Sequence, residues 1–185
     1  MNENDVVLGL VAREGQEGLK GRTLLQKKIY FYSVLSDQDF GFVPHYYGPY
    51  SALISNTVDH LVSNGFLKEV VETFSSESSV FGEKRRHTYF LSEDGEHVLQ
   101  QRGINETIRN VLTRIEGHPI AYDLDLMSIA AKVHFLLSHR RGGTVKEIEG
   151  LAREFNWELS SEQVSSVVDY LVHLGLVVRE QKQSG

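Results

Sequence analysis

Residues Ser55–Leu67 read SNTVDHLVSNGFL, and Ser165–Val177 read SSVVDYLVHLGLV. Ser, Val, Asp, Leu, Val and Gly recur in the same order. Leu53, Ile54, Val58, Leu61 and Val62 fall on one helical face of the first stretch, as Val164, Val167, Val168, Leu171 and Val172 do in the second. Each helix runs into a glycine, Gly65 or Gly175, suited to a left-handed C-terminal cap. An apolar pair able to start a strand follows, Phe66-Leu67 or Leu176-Val177. One unit of helix, glycine stop and outgoing strand is therefore expected twice.

The surroundings of the two copies also correspond. Upstream of the first, Thr23–Leu35 (TLLQKKIYFYSVL) predicts a core-facing helix. Upstream of the second, Leu126–Leu137 (LMSIAAKVHFLL) predicts another, broken by HRRGG before a short helix over Thr144–Phe155. Thr144 with Glu147, and Ser160 with Gln163, have the spacing of capping boxes, in which an N-terminal hydroxyl and a side chain three residues on satisfy each other's backbone N–H.

Downstream of the first copy, Lys68–Thr73 and His87–Leu91 predict two antiparallel strands joined by a long Ser-rich turn, with Lys84, Arg85, Arg86 and His87 toward its tip. Three helices followed by such a hairpin make a winged helix-turn-helix. The second copy runs out at Arg179–Gly185, so its wing is expected to be short or absent. Glu93–Glu116 reads as helix with an interruption at Gly103, packed along the lobes or supplying a dimer surface. The expected fold is mainly α with small β-hairpin wings, an α+β arrangement of tandem winged-helix-like units. Its parts are an N-terminal unit at 1–92, a connecting helix at 93–119 and a C-terminal unit at 120–185.

Hydrophobic residues make up 41% of the 185, enough for a core, so disorder is not expected. The absence of cysteine excludes disulfides, thiolate metal sites and cysteine nucleophiles, and suits a reducing compartment. The apolar run Val6–Ala12 is too short to span a membrane and lacks a signal-peptide start, which leads to the expectation of a cytoplasmic protein without membrane contact. Nineteen Lys and Arg against 25 Asp and Glu give a net charge of -6, so nucleic-acid binding would need a local basic patch.

The common catalytic constellations are missing. The eight histidines include no HExxH, and His134 and His139 are five apart, off a common helical face. Gly9, Gly15, Gly18 and Gly21 do not make a phosphate-binding fingerprint, and no GxSxG elbow occurs. A non-catalytic protein without metal or cofactor is expected.

The stretch Leu25–Leu35 (LQKKIYFYSVL) with Asp39–Ser51 (DFGFVPHYYGPYS) resembles the YwgA-like family, and more distantly the Panacea antitoxin-like domains. Leu25, Gln26, Lys27, Ile29 and Tyr30 carry the helical part of the likeness. Phe40, Phe42, Tyr47, Gly48, Pro49, Tyr50 and Ser51 carry the second part. Lys28 stands where such proteins often have an apolar residue. The resemblance covers roughly 19–67 and implies a helical, winged-helix-like fold near regulatory, toxin–antitoxin or defence functions, with no catalytic assignment to transfer. From the residues themselves, Pro49 is expected in the first turn of the following helix, with Ser51 already inside it and a poor cap. Tyr46, Tyr47 and Tyr50 form either a structural corner or a contact surface.

If the protein binds duplex DNA, the exposed polar residues of the third helix, Ser51, Ser55, Asn56 and His60, are placed to face bases, while Lys84, Arg85, Arg86 and His87 face phosphates. Ser161, Gln163, Ser165 and Ser166 are the corresponding residues of the second unit. They are flanked by carboxylates that repel phosphate, so the first unit is the expected DNA reader. His139, Arg140 and Arg141 form a second basic spot. The expectation is a DNA-binding transcriptional regulator or accessory; a homodimer would present two first units to a palindromic site. The alternative is a protein-interaction module, antitoxin-like or defence-associated, that uses the same fold on a protein partner.

Overall fold

A computed structural model describes residues 2–75, 83–140 and 142–179. The elements in order are α1 (Glu3–Arg13), β1 (Leu19–Lys20), α2 (Arg22–Ser36), β2 (Val43–His45), β3 (Gly48–Tyr50) and α3 (Ala52–Ser63). These are followed by β4 (Leu67–Ser75), β5 (Glu83–Leu91), α4 (Glu93–Arg102) and α5 (Glu106–Glu116). The chain then continues through α6 (Leu124–Arg140), α7 (Val145–Glu154), α8 (Ser161–Ser166) and α9 (Val168–His173). The protein is mainly α-helical with small antiparallel sheets.

Both copies of the repeat end in the same hydrogen-bonded cap. Gly65 adopts φ 78° and Gly175 φ 61°. Phe66 N donates to Leu61 O and Gly65 N to Val62 O, and in the second copy Leu176 N donates to Leu171 O and Gly175 N to Val172 O. This is the Schellman pattern, which satisfies carbonyls that a helix end would otherwise leave orphaned.

Beyond the caps the copies diverge. Leu67 enters β4, which pairs with β5 from Leu67↔Leu91 to Ser75↔Glu83, and β5 pairs on its other edge with β1 through Leu19↔Tyr89 and Lys20↔Thr88. The resulting sheet order is β1-β5-β4. The strand expected after Gly175 does not form: residues 176–179 are irregular. Arg179 turns back to Asp169 at 2.6 Å. A strand needs a partner ladder for its N–H and C=O groups, and no second strand follows in the described residues. The second helix of the repeat is also divided at Val167 into α8 and α9. The Ser-rich turn of the hairpin, at 76–82, lies outside the described residues.

The region expected to be helical between the copies is two helices, broken at Gly103 with φ 71°. Ile108, Leu112 and Ile115 line the buried face of α5, which packs on α1 and α2. The two capping boxes form as the spacing predicts, at Thr144 with Glu147 and Ser160 with Gln163.

Helix α2 is the centre of the molecule. Ten consecutive residues, Leu24 to Ser33, are buried, because β1, β3, α5 and α6 surround it. Among them are Gln26, Lys27 and Lys28, polar residues whose burial requires partners. Lys28 Nζ reaches Glu14 and, at 3.2 Å, Glu116, which also takes Arg13, and it lies 4.6 Å from the centre of the Tyr122 ring. This network ties α1, α2 and α5 together and explains how a lysine occupies a core position. One hydrophobic cluster extends from Val6 in α1 to Leu174 after α9.

Candidate functional site

The LQK sequence of α2 and the GPYS sequence after β2 are joined by their polar groups. Gln26 Nε2 donates to Ser51 O at 3.0 Å and Gln26 Oε1 accepts from Ser51 N at 3.0 Å, so a side-chain amide stands in for a neighbouring strand. Lys27 Nζ donates to Pro49 O at 2.7 Å. Gly48, with φ 98°, lies against both lysines of the region: a Cβ there would sit 3.1 Å from Lys132 Cγ and 3.4 Å from Lys27 Cε. Trp157 Nε1 donates to His45 O at 2.7 Å, and Lys132 Nζ lies 5.7 Å from the Trp157 ring centre. The short β2–β3 hairpin is thereby clamped between the N-terminal unit and the C-terminal helices.

This geometry corrects two expectations. Pro49 lies in β3, paired with Pro44, and not in a helix. Ser51 is the N-cap of α3: its hydroxyl accepts from Ile54 N at 3.1 Å and donates to Phe40 O at 2.5 Å, and the residue is wholly buried. Ser51 is therefore a structural hydroxyl and is not available to a base edge. Its extended backbone, which Gln26 pairs, keeps it outside the helix.

The other expected contact residues are distributed over two surfaces. Asn56 and His60 are exposed on the outer face of α3, where His60 Nδ1 lies 3.2 Å from Asn64 Nδ2. Ser55 is half-buried and belongs to the wall of a recess described below. Lys84 pairs through its backbone with Phe74, while its side chain lies outside the described residues. Arg85 and Arg86 are exposed on β5, with Glu72 directly across the ladder from Arg86. His87 is half-buried and bonds Glu69 at 2.8 Å, so it belongs to the strand pair more than to an open face. Across β4 and β5 the sequence has four cations, Lys68, Lys84, Arg85 and Arg86, against three carboxylates, Glu69, Glu72 and Glu83.

In the second unit the four expected residues are all engaged locally. Ser161 Oγ donates to Glu149 at 2.7 Å, Gln163 closes the capping box, and the Ser165 and Ser166 hydroxyls return to carbonyls of their own helix. Arg140 lies 3.9 Å from Glu154, and Arg141 falls outside the described residues.

Tyr46 and Tyr47 protrude at the hairpin tip, 70% and 60% exposed, with their rings edge to face at 4.9 Å. Tyr50 is half-buried against His45. Beneath the hairpin lies a recess of about 210 Å³ between the first half of α2, the hairpin and α3, with Tyr89 of β5 in its wall. Arg22, at its edge, holds Asp59 and Glu69 at 3.0 Å each. Burial alone would raise the Glu69 carboxyl, but Tyr89, Arg22 and His87 around it outweigh that and hold it below the usual carboxylate range. Tyr89 Oη is buried near Glu69 without a hydrogen bond of good geometry among the described residues, and burial together with that carboxylate disfavours its phenolate. Burial, reinforced by the charge of Lys132, brings Lys27 down to about 7. Neither Lys27 nor Lys132 has a carboxylate within ion-pairing distance among the described residues.

Lys27, Lys132 and Tyr89 were missed as site residues because a lysine on an amphipathic helix is ordinarily expected at the surface, and a tyrosine in a strand reads as core. The only trace in the sequence is a polar triplet, Gln26-Lys27-Lys28, inside an otherwise apolar helix.

Residues 3–91 combine three helices with an antiparallel β1-β5-β4 sheet whose two long strands form the hairpin, within a mainly α, α+β fold. The chain matches no protein-family model and no curated protein. No helix of the described residues is long and apolar enough to cross a membrane.

Proposed function

We propose that the protein binds duplex DNA through its N-terminal winged helix, as a transcriptional regulator or an accessory of one. The observation that carries the reading is the outer face of α3. Ala52, Leu53, Asn56, Asp59, His60 and Ser63 lie on its solvent side at helical spacing, beside a hairpin that presents Arg85 and Arg86. A helix so exposed can enter a major groove, with Asn56 and His60 offering hydrogen bonds to base edges while the wing meets phosphates. The likeness to YwgA-like proteins supports the same regulatory reading. Asp59 is held by Arg22, which lowers the repulsion its carboxylate exerts on a phosphate.

The test is fluorescence anisotropy with duplexes titrated against salt. Changing Lys84, Arg85 and Arg86 together to alanine should weaken binding and flatten the salt dependence, by about one log–log unit for each phosphate no longer neutralised. Changing Asn56 and His60 to alanine should reduce discrimination between duplexes more than it reduces nonspecific affinity. Unaltered affinity in the triple variant overturns the proposal.

A second reading is favoured by the hairpin tip, where Val43, Tyr46 and Tyr47 are 56%, 70% and 60% exposed. Clustered exposed aromatics suit a protein partner in an interaction or antitoxin-like module. In that case Tyr46→Ser with Tyr47→Ser abolishes a heteromeric complex and leaves DNA affinity, if any, unchanged.

A further inference from the structure

We propose that the recess between α2, the β2–β3 hairpin and α3 binds a small organic carboxylate, its charged end against Lys27 and an apolar body of about one aromatic ring between Tyr47, Tyr50 and Val58. The size agrees: the recess holds about 210 Å³, and a cavity of about 150 Å³ in another protein accommodates benzene. Leu25 and Val58 supply aliphatic wall, and the tyrosines supply planar faces.

The charge of the ligand follows from what the protein leaves unpaired. Arg22 is already matched by Asp59 and Glu69, so the edge of the recess is neutralised. Lys27 is not matched by any carboxylate of the described residues. It is 1% exposed, its ammonium has three donors, and the acceptor it reaches there is the neutral carbonyl of Pro49. Lys132 adds a second cation from α6: its side chain passes Gly48 beside that of Lys27, and its ammonium lies by the Trp157 ring. A buried ammonium in the wall of a partly enclosed space whose lining has no carboxylate is half of an ion pair, and a ligand carboxylate completes it, with the charge of Lys132 acting from outside the recess. The ease with which Lys27 loses its proton is the same deficit seen from the protein's side, since both burial and Lys132 oppose its charge. A neutral ligand of equal shape would leave the deficit in place, and inorganic phosphate would leave the apolar wall unused. The recess abuts the start of α3, so a carboxylate there could also modulate a surface that α3 presents, but its binding does not depend on DNA.

The experiment is calorimetric titration of the full chain, without DNA, with benzoate, benzamide and inorganic phosphate as probes. Benzoate should bind at least about tenfold more tightly than benzamide or phosphate, which corresponds to roughly 1.4 kcal/mol. Lys27→Gln retains a donor for Pro49 O and removes the charge, so it should erase the preference for benzoate over benzamide. Lys132→Gln, at a half-buried site, should reduce benzoate affinity about threefold and provides the answer if the Lys27 variant does not fold. Equal affinity for benzoate and benzamide, tighter binding of phosphate, or no benzoate binding at millimolar concentration overturns the proposal. A benzoate site with no DNA affinity would leave this inference standing and remove the DNA reading, and the reverse pattern would do the opposite.

Discussion

His134 is an imidazole held neutral by its surroundings. It is buried in α6, and its Nδ1 lies 2.7 Å from Tyr30 Oη, whose own proton is held more tightly because burial disfavours the phenolate. Burial brings the His134 pKa down to about 4 from an ordinary value near 6.5. As pH falls, the unfolded chain therefore takes up this proton first. The stability attached to the neutral ring is full above about 6.5 and is lost as pH falls from there through about 4, a contribution of about 3 kcal/mol. Urea denaturation at pH 7, 5.5 and 4 should show this loss, and His134→Gln should reduce the slope over that window. An identical slope in the variant would falsify the assignment. Gln26 provides a second measurement at this scale. Gln26→Ala leaves Ser51 N–H buried without its acceptor, while Ser51 O keeps the Ser55 N–H at 3.1 Å, and should cost about 1–3 kcal/mol by denaturant unfolding.

At the scale of elements, the shared helix caps make a paired comparison. Gly65 and Gly175 both have left-handed backbones, so alanine at either should cost roughly 1 kcal/mol or somewhat more for conformation alone. A Cβ at Gly65 meets nothing within 4 Å. At Gly175 it would sit 2.6 Å from the Arg114 guanidinium, which donates to Leu174 O at 2.6 Å. Gly175→Ala should therefore be the more destabilising of the two by thermal denaturation, and Arg114→Ala should bring their costs together. Ser51→Ala removes the α3 cap and the bond to Phe40 O and should cost about 1–2 kcal/mol. Because Ser51 is enclosed, any loss of DNA affinity in that variant should follow its loss of stability and show no change in base preference.

At the scale of the whole molecule, the N-terminal helices with their β1-β5-β4 sheet and the C-terminal helices are joined through α2. Lys27 and Lys28 lie one residue apart, yet one faces the hairpin and α6 while the other is held by α1 and α5. Trp157, the single tryptophan, packs with Phe155 and Phe135 and bonds the hairpin carbonyl of His45. Its fluorescence therefore reports on the C-terminal helices and on their junction with the N-terminal unit. Denaturant transitions followed by Trp157 fluorescence and by far-ultraviolet circular dichroism should coincide, since one apolar cluster runs through both units. Separate midpoints would mean that the units unfold independently. Glu116→Gln, which leaves Lys28 buried with a weakened counter-charge, should lower the common midpoint, with a cost of about 3 kcal/mol.

Amino-acid order by itself determined the local features. The helical faces around Ser55 and Ser165, the two glycine caps, the break at Gly103, the capping boxes at Thr144 and Ser160 and the β4–β5 hairpin all depend on interactions within a few residues or on a short apolar period, and such signals are readable along the chain. Only the tertiary structure decided the short β1 strand, which exists because β5 offers it an edge, and the absence of a strand after Gly175, where the described residues offer none. It alone decided that Ser51 is an enclosed cap, that the second unit's serines are spent on Glu149 of α7 and on carbonyls of their own helix, and that Lys27 and Lys28 lie inside. A side chain's availability for binding is set by what packs over it, and for α2 those neighbours come from β3, α5 and α6, up to about a hundred residues away along the sequence.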